Sequence, residues 1–183
     1  MHLISVEKFL RNLYSVQRGK TYKLRLINMS LDQFFIFQIQ GHTFNVTAND
    51  FIPLVATGPK TQLKINIGQR YDIIFTANQN AGNYWMSLTS CSGAASDIFG
   101  KVANVGGILH YDTVPLANPT TSTPAPTDTV CVDEQGTVPY WPRVIPNAGS
   151  GLHSLQIGDQ SPTFRPDFND NVFTWTINNS TME

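Results

Sequence analysis

The chain has 183 residues, a formal net charge of −1 at pH 7 and only 14% charged residues. That length predicts one domain, or one domain with a long extension. The near-neutral charge and the lack of any basic cluster exclude a nucleic-acid binder, which needs Lys and Arg to neutralise phosphates. No apolar run approaches the roughly 20 residues that span a bilayer, so no membrane partner is expected. The opening Met1-His2-Leu3-Ile4-Ser5-Val6-Glu7-Lys8 does not read as a signal peptide, because Glu7 and Lys8 interrupt a short apolar stretch. Abundant Thr, Asn, Gly and Pro suit an extracellular all-β protein.

In chain order, residues 6–14 are the one early helical candidate. Alternation then takes over. In Tyr22-Lys23-Leu24-Arg25-Leu26 the apolar residues point one way and the charges the other. The same period of two runs through Phe35-Ile36-Phe37-Gln38-Ile39, Gln62-Leu63-Lys64-Ile65-Asn66-Ile67 and Tyr71-Asp72-Ile73-Ile74-Phe75, which marks strands with one buried face. Gln40-Gly41-His42 reads as a hairpin turn. Further strands are expected at residues 43–48, 83–88 and 107–111, and a single helical turn at 96–100. About seven short strands separated by turn signals predict a Greek-key β-sandwich or barrel. Its expected core includes Leu24, Leu26, Phe37, Ile39, Ile65, Tyr71, Ile73 and Trp85.

After Asp112 the composition changes. Residues 114–129 carry Pro115, Pro119, Pro124 and Pro126, which favour extended backbone over packed sheet. Residues 138–146 add more Pro and two aromatic anchors, Tyr140 and Trp141. Phe173-Thr174-Trp175-Thr176-Ile177 is a last strand-like run.

Metal chemistry is absent from the side-chain inventory. A blue-copper site takes two His, one Cys and usually a weak axial Met. From Cys91 the next His is His110, 19 residues on (110 − 91), with no Met between. Cys131 is followed by His153, with no Met before Met182. His2, His42, His110 and His153 stand alone, without a His-X-His pair. The chain is therefore expected to bind no copper itself. His42 reads as a turn residue and His110 as a packed or edge histidine in a strand. Glycosylation sequons begin at Asn28, Asn45, Asn178 and Asn179.

Four motifs follow one another at close spacing: Gly41-His42-Thr43-Phe44, Gly68-Gln69-Arg70-Tyr71-Asp72, Gly82-Asn83-Tyr84-Trp85 and Gly107-Ile108-Leu109-His110-Tyr111-Asp112. Their order and spacing resemble the second, middle cupredoxin domain of fungal laccase-like multicopper oxidases. The resemblance implies an all-β, cupredoxin-like (plastocyanin-like) Greek-key fold with a long Pro-rich C-terminal extension. It divides the chain into residues 1–17, a segment of unclear match; 18–112, the cupredoxin-like domain; 113–172, an interdomain linker; and 173–183, the truncated first strand of a third domain. Copper then belongs to flanking domains. The implied partners are the first and third cupredoxin domains and phenolic small molecules, in a secreted, glycosylated parent. That parent oxidises phenols or aromatic amines and reduces dioxygen to water. Cut from its neighbours, the domain is open to self-association through exposed edges. The residue 173–177 run is expected to have no sheet partner from its own third domain, and to dock on the sandwich as a stray strand, pair with another molecule or stay mobile.

The resemblance also implies site residues. In Asn28-Met29-Ser30-Leu31-Asp32, Asp32 takes the position of a carboxylate that hydrogen-bonds the phenol and can accept its proton. The competing reading makes Asp32 a turn residue that caps local N–H groups. Ser90 falls on another wall of the phenol pocket, where it is smaller and more polar than the apolar residue common there. Asp50 is a weaker carboxylate candidate that reads better as a turn residue, and Arg70 and Asp72 read as fixing a sheet corner. Cys91 and Cys131 match a bridge within the domain; two free buried thiols are the alternative. A bridge would close about 40 residues, worth roughly 3 to 4 kcal/mol in the chain-entropy model. From a different class, a secreted non-catalytic β-sandwich binding module would present an aromatic platform built on Tyr84, Trp85 or Trp141.

Overall fold

The computed structural model describes residues 13–30, 33–91, 105–143, 157–165, 170–177 and 180–181. Every regular element among them is a strand. The chain separates into two compact units, Met1–Pro142 and Arg143–Glu183.

The first unit holds β1 (Leu13–Val16), β2 (Thr21–Ile27), β3 (Phe35–Ile39), β4 (Phe44–Asn49), β5 (Ile52–Pro53), β6 (Leu63–Ile65), β7 (Arg70–Thr76), β8 (Asn83–Ser90) and β9 (Val105–Tyr111). They form a five-stranded sheet in the order β1-β9-β8-β3-β6 and a four-stranded sheet in the order β2-β7-β4-β5. Alternation dictates what fills the space between them. Phe37, Ile39, Leu63, Ile65, Met86, Leu109 and Tyr111 from one sheet join Phe44, Val46, Tyr71, Ile73 and Phe75 from the other in one buried cluster. Burying each such side chain contributes about 1.5–3 kcal/mol. Leu24 and Leu26 also turn inward but stay half-buried, because β2 is a sheet edge.

Three expectations are corrected here. First, the end of the helical candidate at residues 6–14 is extended: Leu13 and Tyr14 begin β1, which pairs in parallel with β9. The helical turn expected at 96–100 lies outside the described residues. Second, Gln40-Gly41 is a turn but closes no hairpin. β3 pairs with β6 and β8, whereas β4 pairs with β5 and β7, so the turn carries the chain from one sheet to the other. Gly41 serves it through φ of 71°; a Cβ there would meet nothing closer than 3.8 Å. Third, Trp85 is buried but stands outside the inter-sheet cluster. It lies on the outer face of the five-stranded sheet, against Gly106.

That outer face is covered by the Pro-rich segment after Asp112, which runs across it as a strap. Gln38 Nε2 donates to Ala125 O at 3.5 Å, Trp85 Nε1 to Thr121 O at 2.7 Å, and Gln40 Nε2 to Thr121 Oγ1 at 2.5 Å. Gln62 Oε1 accepts from the N–H of Thr127 at 2.8 Å, and Lys64 Nζ binds Asp128 Oδ2 at 2.6 Å. Extended, Pro-rich backbone makes no internal ladder, so its polar groups are satisfied by side chains rising from the sheet. Ile36, Gln38, Lys64, Trp85 and Ser87 all point away from the core and are nonetheless buried. The strap is closed by a disulfide between Cys131 and Cys91, with Cα atoms 5.4 Å apart. It then pairs along β5: Val55 N donates to Val138 O at 2.9 Å and Tyr140 N to Pro53 O at 2.8 Å.

The second unit contains β10 (Ile157–Arg165), β11 (Asp170–Ile177) and β12 (Ser180–Thr181), an antiparallel sheet in that order. The run at residues 173–177 therefore has a partner, β10, contrary to expectation. β10 was hidden by Pro162 and its polar neighbours. Pro162 falls in the register shift between Gln160 and Thr163, where a missing N–H costs no ladder bond.

Candidate functional site

The loop that follows β2 is built by one buried amide. Asn28 Nδ2 donates to Gln33 O at 2.8 Å and to Ile65 O at 3.0 Å. Its Oδ1 accepts from the Ser30 N–H at 3.0 Å and from the Ser30 hydroxyl at 2.7 Å. Backbone bonds from Asn28 N to Gln69 O and from Gly68 N to Asn28 O fix the base of the loop. Asn28, Ser30 and Gln33 are thus tied to one another, and Asn28 is anchored to β6. Ser90 Oγ donates to Gln33 Oε1 at 3.0 Å, and Cys91 N to Phe34 O at 3.1 Å. The end of β8, with Cys91 of the disulfide, is thus tied to this loop through Gln33 and Phe34. Gln33 was not singled out from the sequence; its place three residues after Ser30 in a turn-forming run is the only hint. Asp32 itself lies outside the described residues.

Beside the loop the sandwich opens into a cleft of about 540 Å³. Leu26, Phe35, Phe37, Ile65, Met86 and Leu88 line its apolar walls, with Tyr14, Arg25 and Met29 among the other lining residues. Met29 is 85% exposed.

The remaining candidates are structural by geometry. Asp50 sits at positive φ (49°), and its Oδ1 accepts from the Arg70 N–H at 2.9 Å, which pins the turn between β4 and β5. Arg70 donates to Gly68 O at 3.0 Å. Asp72 is bound by Arg25 Nε at 2.9 Å and Lys23 Nζ at 2.6 Å on the outer face of the four-stranded sheet. The Arg25 hydrogen bond holds its carboxyl below the usual range, against the opposing effect of burial; Lys23 adds to the depression.

The described histidines and cysteines do not fit a blue-copper centre. His42 is 3% exposed. One ring nitrogen, Nδ1, lies 2.7 Å from Gln40 O, which can only accept, so Nδ1 carries the proton. Nε2 then accepts from the Tyr111 hydroxyl at 2.8 Å, and Tyr111 Oη accepts from the Gln79 N–H at 3.1 Å. Burial pushes the His42 pKa down, with the Gln40 carbonyl opposing. His42, directly after the turn, is thus a buried structural residue with both nitrogens committed. His110 Nδ1 is 2.8 Å from Asn83 Oδ1, and the Cys91 sulfur is consumed by the disulfide. Among the described residues no three His, Cys, Asp or Glu side chains converge.

Of the sequons, Asn28 has both amide hydrogens engaged and is 5% exposed, so a glycan on Nδ2 would require unmaking the loop. Asn45 is half-buried on β4. Asn178 and Asn179 lie outside the described residues.

A two-sheet sandwich of this topology with these motifs defines a cupredoxin-type domain, and comparison with known proteins gives the family. Residues 7–113 match the family model for multicopper oxidases. Laccase-2 of Botryotinia fuckeliana is 38% identical over 167 residues, covering 90% of this chain and 26% of that protein. The laccase of Cryphonectria parasitica is 35% identical over 167 residues, covering 90% and 27%. The crystal structure of the laccase from Botrytis aclada superposes with a TM-score of 0.67 at 36% identity, over 92% of this chain and 29% of that one. Fet3p, a multicopper oxidase that functions in iron import, superposes with a TM-score of 0.72 at 20% identity, which speaks to the fold alone. The chain belongs to the multicopper oxidase family, as part of a laccase-like member. It spans about a quarter of the length of the curated relatives it matches.

Proposed function

We propose that this chain is the middle domain of a laccase-like multicopper oxidase, holding two copper-bearing neighbours apart and lending one wall to their phenol pocket. The loop at residues 28–33 carries the reading. Asn28 ties Ser30 and Gln33 together and Gln33 accepts from Ser90, so the described residues on either side of Asp32 are anchored. A carboxylate held rigidly within reach of a phenol accepts the proton as the electron leaves, which eases oxidation. Copper stays with the neighbours, since the His and Cys side chains described here are committed elsewhere. Dioxygen reduction and electron transfer then belong to the whole enzyme, and secretion with the parent fits a closed disulfide. No helix among the described residues is long and apolar enough to cross a membrane.

The binding-module reading needs an aromatic platform. Trp85 is under the strap and donates to Thr121 O, and the Tyr84 hydroxyl donates to Asn80 O. Trp141 is exposed, but its ring stands at 81° to Tyr140 instead of extending a flat surface.

The test is a chimera in which residues 18–142 replace the matching segment of the Botrytis aclada laccase. It should load copper and oxidise phenols with dioxygen uptake. Asp32→Asn in the chimera should slow phenols more than donors with no proton to lose, most at low pH. Equal loss for both classes would make Asp32 a turn residue, and a folded chimera without copper would end the scaffold reading.

A further inference from the structure

At the β5 edge the first unit carries exposed apolar side chains that no described residue covers. Phe51 is 88% exposed, Trp141 68%, Tyr140 59%, Val138 54%, and Ile52 and Val55 52% each. Backbone pairing brings the two segments that carry these six together. The strap lies along the β5 edge through Val55 N–Val138 O and Tyr140 N–Pro53 O, with Leu54 opposite Pro139. The pairing brings residues 51–55 and 138–141, about 85 positions apart in sequence, to one edge of the four-stranded sheet. None of the six is charged, and exposed apolar side chains gathered at one sheet edge mark an interaction surface.

From this geometry we infer that the 51–55/138–141 patch is the docking surface for the copper-bearing domain attached downstream in the full-length oxidase. The inference rests on the middle-domain reading above. Two observations choose this occupant. The chain spans only about a quarter of its relatives' length, so a covalently attached remainder exists in proteins of this kind. And the patch stands where the first unit ends, since Pro142 follows Trp141 directly. A domain tethered there meets the patch at an effective concentration of order millimolar, so a contact too weak to hold a free partner holds an attached one. A second copy of the chain lacks that advantage. A polysaccharide would call for coplanar rings, and Tyr140 and Trp141 meet edge to face at 81°.

The experiment is hydroxyl-radical labelling read residue by residue by mass spectrometry, on the 183-residue chain and on the laccase chimera. Phe51, Tyr140 and Trp141 should label readily in the chain. In the copper-loaded chimera their labelling should fall about fivefold, as passage from a surface to an interface core implies. Phe51→Asp and Trp141→Glu should leave the melting temperature of the chain unchanged, because both side chains are exposed, and should lower that of the chimera. Equal labelling in a chimera that loads copper and oxidises phenols would overturn the patch assignment and leave the middle-domain reading standing. Protection in the chain alone that grows with its concentration, or on adding soluble cello-oligosaccharide, would assign the patch to self-association or to sugar instead. A folded chimera without copper would remove the middle-domain reading and this inference together.

Discussion

Breaking the Cys91–Cys131 bridge tests how the strap is held. The bridge closes 40 residues. In the chain-entropy model that restricts the unfolded chain by about 4 kcal/mol. For a protein of this size, each kcal/mol moves the melting temperature by about 2–4 °C, so reduction should lower it by roughly 8–16 °C. The comparison is best made between oxidised and reduced wild type, because Cys91 is buried and Cys91→Ala would add a cavity to the loss. Urea titration gives the free-energy difference from the midpoint shift at constant slope. The native contacts of the strap, Lys64–Asp128, Lys60–Glu134 and Trp85–Thr121, survive reduction. The reduced protein should therefore fold, yet be cut within residues 113–130 by protease at concentrations that spare the oxidised form. A shift below about 1 kcal/mol would refute the reasoning, since it would mean the bridge restrains little in the unfolded chain.

Further outcomes follow from the buried polar groups. His42 has a folded pKa below its unfolded value, so the unfolded chain binds the extra proton; stability should be full above about pH 6.5, fall as pH drops below it, and lose that slope in His42→Gln, as urea midpoints against pH will read. Asp72 also has a depressed folded pKa, but its contribution is present above about pH 4 and is lost as pH falls through the folded value, so Asp72→Asn should flatten the acid limb only. Asn28→Ala should destabilise by roughly 2–3 kcal/mol, because Gln33 O and Ile65 O lose their donor together. When the chain is secreted from a glycosylating host, peptide mapping should find Asn28 unmodified; a glycan there would contradict the closed loop.

Seven strands of the sandwich, β2–β4 and β6–β9, were legible because each has one face in a common core. Tyr71, Ile73 and Phe75 alternate with outward residues in β7, and the reading from period two found them. Sheet membership was not legible, since periodicity marks which face is buried and not which neighbour supplies the hydrogen bonds. For that reason Gln40-Gly41 looked like a hairpin while it changes sheets. At the site, Asp50 was read as a turn residue and sits in one, whereas Asp72, read as fixing a corner, lies within β7 and pairs across the sheet with Lys23 and Arg25. Gln33 and the Lys64–Asp128 pair were missed, because contacts spanning up to 64 residues leave no local pattern.

One larger feature was present in the residues and went unread. β2 alternates strictly, with Lys23 and Arg25 on a face that stays wet. The five-stranded sheet does not: Phe35-Ile36-Phe37, Trp85-Met86 and Ile108-Leu109 put apolar side chains on both faces. Strands that are apolar on both faces belong to a sheet covered on both sides. The core covers one side, and with no helix described, the only long uncommitted segment that follows these strands is the Pro-rich one. Its Pro-rich composition suggested an interdomain linker pinned by the bridge alone. A polar cover is nonetheless adequate when the sheet offers Gln38, Gln40, Gln62 and the Trp85 indole as partners for its backbone and hydroxyls. The strap is therefore a third layer of the domain, and the chain leaves that layer at Tyr140 and Trp141 from a fixed point. On the proposed middle-domain reading the exit has to be fixed, and the disulfide together with the Lys64–Asp128 pair, whose lysine is buried, ties the strap down before that point.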